Sequence, residues 1–216
     1  MTSAAGASEA SIGAAVEALR RGGLVVFPTE TIYGIGCDAL DATAVARLCA
    51  AKQRPDEKGI AVILGDQAML EQITASVGPA ASVLIERFWP GPLTILFVAR
   101  PGLPGALVQG GRIGARVSSH AIARRLSQAL GRPIAAPSAN PAGAEPARDA
   151  HAARSYFGDA VAAYVDAGEI SGPPSTLVDP GPPLRVLRAG AVPEDAIRQV
   201  LARSDGATPE EKRWPS

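Results

Sequence analysis

Apolar and polar positions along the chain alternate between a helical rhythm and short unbroken apolar runs. From about Ser8 to Arg21, Ile12, Ala15, Val16 and Leu19 recur at helical spacing, with Ser8 placed to cap the start and Gly22 to stop it. Leu24-Val25-Val26-Phe27 follows as an apolar run behind Gly22-Gly23, the pattern of a buried strand. Pro28 has no N–H to donate and is expected to end that ladder. Asp41 can cap a second helix with Val45, Leu48 and Cys49 inward, ending around Ala51 before Lys52-Gln53-Arg54-Pro55. Gly59 to Leu64 reads as a strand, and Asp66 caps a short helix carrying Met69, Leu70 and Ile73. Gly78-Pro79 starts a helix with Ala80, Val83, Leu84 and Phe88 inward.

The second half repeats the alternation. Leu93 to Val98 and Arg112 to Val117 read as strands on either side of a loop rich in Pro and Gly. Ser118 or Ser119 then caps a helix with Ile122, Leu126 and Leu130 on one side, and Gly131 stops it. Further elements are a strand from Pro133 to Ala136, a helix near Arg148 to Phe157 and a strand near Val161 to Val165. Two short strands (Thr176 to Asp179, Leu184 to Leu187) and a helix near Pro193 to Ala202 complete the pattern. Several connections are too short for crossover helices, so the expected fold is one α/β domain on a mixed sheet. Residues 1–7 are expected to be disordered, residues 8–203 to form the domain, and residues 204–216 to be a polar, mobile tail.

Composition narrows the function classes. The 216 residues are 47% apolar and 19% charged, with 21 Lys plus Arg against 21 Asp plus Glu, so no global field favours nucleic acid or membrane. The segment Arg112 to Arg154 holds seven Arg against two acids, which suits an anionic ligand in a cleft or a solvated surface. Two cysteines without CxxC spacing point to a reduced, cytoplasmic chain. No signal-peptide pattern is visible at the start, and the run Leu93 to Ala99 is too short to span a bilayer.

Candidate chemistry gathers at strand ends, where open α/β sheets place their ligands. Thr29, Glu30, Thr31 and Tyr33 follow the first strand, with Gly34 and Gly36 giving room. Lys52 and Arg54 lie past a helix end, where they can complement its dipole or hold an anion. Arg116 closes an apolar strand, and a partly buried guanidinium wants a carboxylate or phosphate. Ser138 and Asn140 follow Pro137 as a turn or a phosphate contact, and Arg185 and Arg188 flank Val186-Leu187. His120 and His151 stand in no metal-ligand pattern, and GxSxG and Walker A sequences are absent. One cleft for a polyanion and a small polar molecule accounts for the set.

Several motifs in order resemble the YrdC-like family of L-threonylcarbamoyladenylate synthases from about Gly22 to Gly190. They are PTETIYGIG (Pro28 to Gly36), AKQRPDEKG (Ala51 to Gly59), FWPGPLT (Phe88 to Thr94), IGARVSSH (Ile113 to His120), APSAN (Ala136 to Asn140), STLVD (Ser175 to Asp179) and VLRAG (Val186 to Gly190). The resemblance implies a twisted, mostly mixed sheet flanked by helices around a central open cleft. It also implies a nucleotidyltransferase that makes threonylcarbamoyl-AMP and pyrophosphate from L-threonine, bicarbonate and ATP with Mg²⁺. A threonylcarbamoyl transferase complex is the implied partner, acting on tRNA adenosine, and direct tRNA or RNA contact stays open. By the same resemblance, Thr29, Thr31, Tyr33 and Arg116 are expected to hold threonine. Lys52, Arg54, Lys58, Ser138, Asn140, Ser175 and Arg188 are expected to hold ATP, with Thr94 supporting the wall; no covalent nucleophile is expected.

Three departures accompany the match. Ile35 stands where leucine is commoner, Gly59 where many members have proline, and Pro146-Ala147-Arg148 where long forms have Ser-Pro-Thr. With one helix after VLRAG, the chain resembles the short form of the family. Two other readings stay open: an RNA-binding paralogue without synthase activity, and a carbamoyl-AMP-forming enzyme of the hydrogenase-maturation type.

Overall fold

Successive residues of the first apolar run face opposite ways, and both faces are buried. Val25 and Phe27 pack with one hydrophobic cluster, Leu24 and Val26 with another. That explains why the run shows no polar alternation. The smaller cluster joins the strand to helices α1 (Glu9–Arg20) and α4 (Ala121–Leu130) through Ile12, Val16, Leu19, Ile122 and Leu126. The larger one takes in residues of α2 (Ala42–Lys52), α3 (Pro79–Phe88), α5 (Ala150–Phe157) and α6 (Glu194–Ser204). The structure is a computed structural model that describes residues 8–53, 59–204 and 212–214; the expected disorder of residues 1–7 lies outside them.

Between the helices lies one mixed sheet. Its strands are β1 (Val25–Pro28), β2 (Tyr33–Asp38), β3 (Val62–Leu64), β5 (Leu93–Val98), β6 (Val108–Gln109), β7 (Arg112–Val117), β8 (Ile134–Ala135), β9 (Ala163–Tyr164), β10 (Thr176–Asp179) and β11 (Arg185–Arg188). They run in the order β11-β10-β5-β7-β3-β8-β2-β1-β9, with β6 pairing on β7. Parallel pairs (β1 with β9, β3 with β7, β5 with β10) sit among antiparallel ones, as the short connections require. Among the described residues no helix is long and apolar enough to cross a membrane.

Caps fall where side chains can supply them. Ser8 accepts from Ser11 N–H, Asp41 from Thr43 and Ala44 N–H, and Asp66 from Met69 N–H. Gly131 ends α4 at φ 75°, a conformation that suits glycine. Other expectations are corrected. Neither Ser118 nor Ser119 caps α4: His120 holds the cap position without a side-chain bond, while the Ser118 hydroxyl accepts the His120 N–H. Helix α2 runs one residue further, through Lys52, and closes at Gln53 with φ 50°. In α3 the buried face is Ala81, Leu84 and Ile85, while Ala80, Val83 and Phe88 are half-buried. That helix is apolar nearly all round, so tertiary packing rather than periodicity selects its face.

Two regions read as loop or tail pair as strands. Tyr33–Asp38 folds back antiparallel on β1 as a hairpin and pairs with β8 on its other side. The approach to β8 is close: a Cβ at Gly36 would lie 2.5 Å from the Ala135 carbonyl oxygen, so only glycine fits. In the tail, β12 (Lys212–Arg213) pairs antiparallel with β4 (Ser76–Val77), and Trp214 packs half-buried against the larger cluster. This part of the segment expected to be mobile is thus ordered against the domain.

Candidate active site

The hairpin β1–β2 turns through Thr29 to Ile32, and the turn is held by one hydroxyl. Thr29 Oγ1 donates to the Ile32 carbonyl at 2.6 Å, accepts from the Thr31 and Ile32 N–H groups, and stands 3.0 Å from Thr31 Oγ1. Pro28 supplies the last rung of β1, opposite Tyr33, without needing a donor. The turn forms one wall of a cleft of about 360 Å³. Gly59 to Ala61, Arg116 on β7 and the segment Ala136 to Ser138 form the adjoining walls. Thr94, Pro174, Ser175, Leu177 and Arg188 close the far side.

Seven expected site residues meet here: Thr29, Thr31, Tyr33, Arg116, Ser138, Ser175 and Arg188. Their individual bonds refine the picture. The Tyr33 ring is fully buried and its hydroxyl points away from the hairpin turn, into the 166–168 loop. It donates to the Gly168 carbonyl at 2.8 Å and accepts the Ala167 N–H at 2.9 Å. Burial pushes its pKa up to about 12, and the Asp166 carboxylate adds to the rise. Tyr33 therefore shapes the cleft with its backbone and ring.

Arg116 is 7% exposed and does not stand alone. Its Nε donates to Glu30 Oε1 at 3.3 Å, and the Ser118 hydroxyl donates to Glu30 Oε2. Its two η nitrogens have no partner among the described residues. Close by, burial lowers the pKa of His120 although Glu30 opposes the shift, and His120 Nδ1 is buried without a partner among the described residues. Glu30 was visible in the sequence as an acid within Thr-Glu-Thr, but nothing in the spacing tied it to Arg116, 86 positions away.

The opposite end is built on backbone. After β8, residues 137–139 continue along β2, with Ile35 N–H donating to the Pro137 carbonyl at 3.0 Å and Ala139 N–H to the Tyr33 carbonyl at 2.9 Å. Lys52 is 3% exposed and its Nζ donates to the Ser138 and Asn140 carbonyls, so it stands behind the cleft wall. Asn140 also stands behind it; its Nδ2 donates to the Pro141 and Ala144 carbonyls at 3.0 and 2.7 Å, leaving Oδ1 buried with no partner among the described residues. The Ser138 hydroxyl lines the cleft with no partner among the described residues. Arg54 and Lys58 lie outside the described residues.

At the far side, Arg188 donates through Nε and Nη2 to the Ser175 carbonyl and through Nη2 to the Ser175 hydroxyl, which is 2.9 Å from Thr94 Oγ1. Gly190 lets the chain lie against this wall, since a Cβ there would sit 2.2 Å from the Pro174 carbonyl oxygen. A second cavity of about 300 Å³ shares Ile32, Pro146 and Pro174 with the cleft and is flanked by Arg148. The two volumes lie at the lower end of the ~300–1,000 Å³ span of small-ligand sites.

Six of the seven arginines of the basic segment are engaged within the chain. Arg112 pairs with Asp179, Arg116 with Glu30, Arg125 with Glu9 and Arg132 with Asp38. Arg124 bonds the Ser118 carbonyl, and Arg154 lies 4.1 Å over the Tyr164 ring. Among the described residues no cluster of His, Cys, Asp and Glu could hold a metal ion.

Comparison with known proteins places the chain in a family. The family model described as telomere recombination, covering the Sua5, YciO and YrdC proteins, matches residues 17–190. A Chromohalobacter salexigens protein named threonylcarbamoyl-AMP synthase is 41% identical over 172 residues, 78% of this chain and 91% of its own. The crystal structure of Pyrococcus abyssi Sua5 complexed with L-threonine matches with a TM-score of 0.86 at 36% identity, over 90% of this chain. The chain spans 58% of that archaeal structure. Escherichia coli YciO matches with a TM-score of 0.79 at 28% identity, over 88% of this chain and 94% of its own. With a family match across residues 17–190 and a fold shared with these structures, the chain belongs to the Sua5/YciO/YrdC family.

Proposed function

We infer that the protein is an L-threonylcarbamoyladenylate synthase, a nucleotidyltransferase serving threonylcarbamoyl modification of tRNA in the cytoplasm. The observation that carries this reading is the meeting, in one cleft, of Arg116 and Ser138, whose η nitrogens and hydroxyl have no partner among the described residues. One suits a carboxylate, the other a phosphate. The threonine amine and bicarbonate form a carbamate with loss of water. A carbamate oxygen then attacks the ATP α-phosphorus, and the bond to the β-phosphate breaks, releasing pyrophosphate. No protein nucleophile takes part. The protein aligns its ligands, stabilises charge at phosphorus and shields the carbamate from water.

Within this reading, Arg116 binds the threonine carboxylate, and Thr29, Thr31 and the Tyr33 ring shape the pocket for its side chain. Ser138 meets phosphate on a loop that Lys52 and Asn140 hold from behind, while Ser175 and Arg188 form the nucleotide's far wall. Arg54 and Lys58 are the candidates for direct phosphate contact. Mg²⁺ fits as an ion carried by the nucleotide, since it keeps several waters and leans on substrate phosphates. The described residues carry no His, Cys, Asp and Glu cluster for the ion, so the substrate phosphates would hold it beside the Ser138 hydroxyl that lines the cleft. A threonylcarbamoyl transferase complex would take up the labile product.

Pyrophosphate release from ATP and bicarbonate, measured with and without L-threonine, tests the function. Release that depends on threonine and is much weaker with serine is expected. Absence of threonine dependence would refute it.

A further inference from the structure

We propose that Glu30 is a positioning residue that aims Arg116 at the amino-acid substrate and so sets its affinity. The proposal rests on the synthase reading above and adds a residue to it. The Glu30 side chain is 11% exposed and that of Arg116 8%, so the pair sits where a guanidinium has little water to rotate against. Glu30 meets Arg116 at Nε, not at the η nitrogens. That choice leaves the outer edge of the guanidinium, the edge suited to a bidentate carboxylate, for a ligand in the cleft.

Glu30 is itself held. Its second oxygen accepts the Ser118 hydroxyl, and Ser118 Oγ accepts the His120 N–H at 3.1 Å at the start of α4. A chain of bonds thus runs from a helix terminus through Ser118 and Glu30 to the guanidinium plane. Freezing a rotamer-rich side chain before the ligand arrives removes a cost that binding would otherwise carry. The neighbouring charge also matters. With Glu30 ionised, the pair is neutral before substrate binds, so a carboxylate is drawn to the guanidinium by geometry and hydrogen bonding more than by net field.

Steady-state pyrophosphate release by the full chain, varied separately in threonine and ATP, tests this with Glu30→Gln. The expected result is a KM for threonine raised about tenfold, which is about 1.4 kcal/mol, with KM for ATP within about twofold and kcat little changed. Glu30→Asp, which keeps the charge on a shorter stem, should recover part of the loss. Ser118→Ala, which removes only the far clamp, should give a smaller rise of the same selective kind and serves if Glu30→Gln does not fold. An unchanged or lowered threonine KM overturns the proposal, as does an equal rise in both KM values. Calorimetric titration of L-threonine into the wild type and Glu30→Gln separates the two claims. Threonine binding that weakens in the variant upholds the role of Glu30 even if the wild type releases no pyrophosphate; absence of threonine binding to the wild type refutes both.

Discussion

At the Arg116 end of the cleft, side chains bind one another, whereas at the Ser138–Asn140 end a buried cation binds backbone. Glu30, Arg116 and Ser118 form a closed set of charged and hydroxyl groups that leaves one guanidinium edge open. Lys52 instead spends its ammonium on the carbonyls of Ser138 and Asn140, turning the loop's remaining groups, the Ser138 hydroxyl among them, toward a ligand. The difference suits the two ligands. An amino-acid carboxylate is small and planar, so one fixed fork can select it; a polyphosphate is long, so a shaped loop with further charges is the better receiver. It also means that a lysine expected at a phosphate can act at one remove.

The largest break in this comparison is expected at Lys52. Lys52→Met keeps the apolar stem but takes the ammonium from the Asn140 carbonyl and leaves the Ser138 carbonyl with only the Asn140 N–H, which costs on the order of 2 kcal/mol at the usual penalty for a stranded buried acceptor. Urea unfolding should show a lower midpoint at unchanged slope, and KM for ATP should rise more than KM for threonine. A variant of wild-type stability would mean that the lysine does not hold the loop. Next comes Asn140→Ala, which removes the amide bonds to Pro141 and Ala144. KM for ATP should rise severalfold as the loop loosens while threonine KM holds; an unmoved ATP KM would mean that Asn140 does not shape the Ser138 loop.

The smallest effect sharpens the other end. Tyr33→Phe loses bonds to the 166–168 loop and should cost about 1 kcal/mol of stability, with threonine KM unchanged because the hydroxyl points away from the turn. The raised pKa of Tyr33 carries a sign as well. The folded state holds the phenol proton above pH 10, so stability from this group is full below pH 10 and falls as pH rises toward about 12. Ultraviolet titration of the wild type against Tyr33→Phe should remove the last phenolate to appear.

Much of this organisation was legible in the residues. The apolar runs at β5, β7 and β10, the caps at Ser8, Asp41 and Asp66, and the stop at Gly131 follow from local chemistry, and their positions agree with the structure. Strand β2 was not legible, because Gly34 and Gly36 weaken strand propensity, and the Ala135 carbonyl that demands Gly36 is distant in sequence. Two-residue strands such as β4 and β12 carry no period to read. At the site, residue types announced an anion cleft, yet the direction of each side chain did not follow from them. Lys52 turned behind its wall, the Tyr33 hydroxyl toward another loop, and Glu30 onto Arg116. Those contacts join positions far apart in the chain, which only the assembled sheet brings together.

The most direct test of the two-ended cleft is a side-by-side kinetic comparison of Arg116→Ala and Ser138→Ala, with pyrophosphate release varied in threonine and in ATP. The account predicts a threonine KM raised on the order of 100-fold in Arg116→Ala, as loss of a charged bidentate contact implies, with ATP KM moving far less. It predicts the reverse selectivity, at smaller size, in Ser138→Ala. Equal movement of both constants in both variants, or exchanged selectivities, would contradict it.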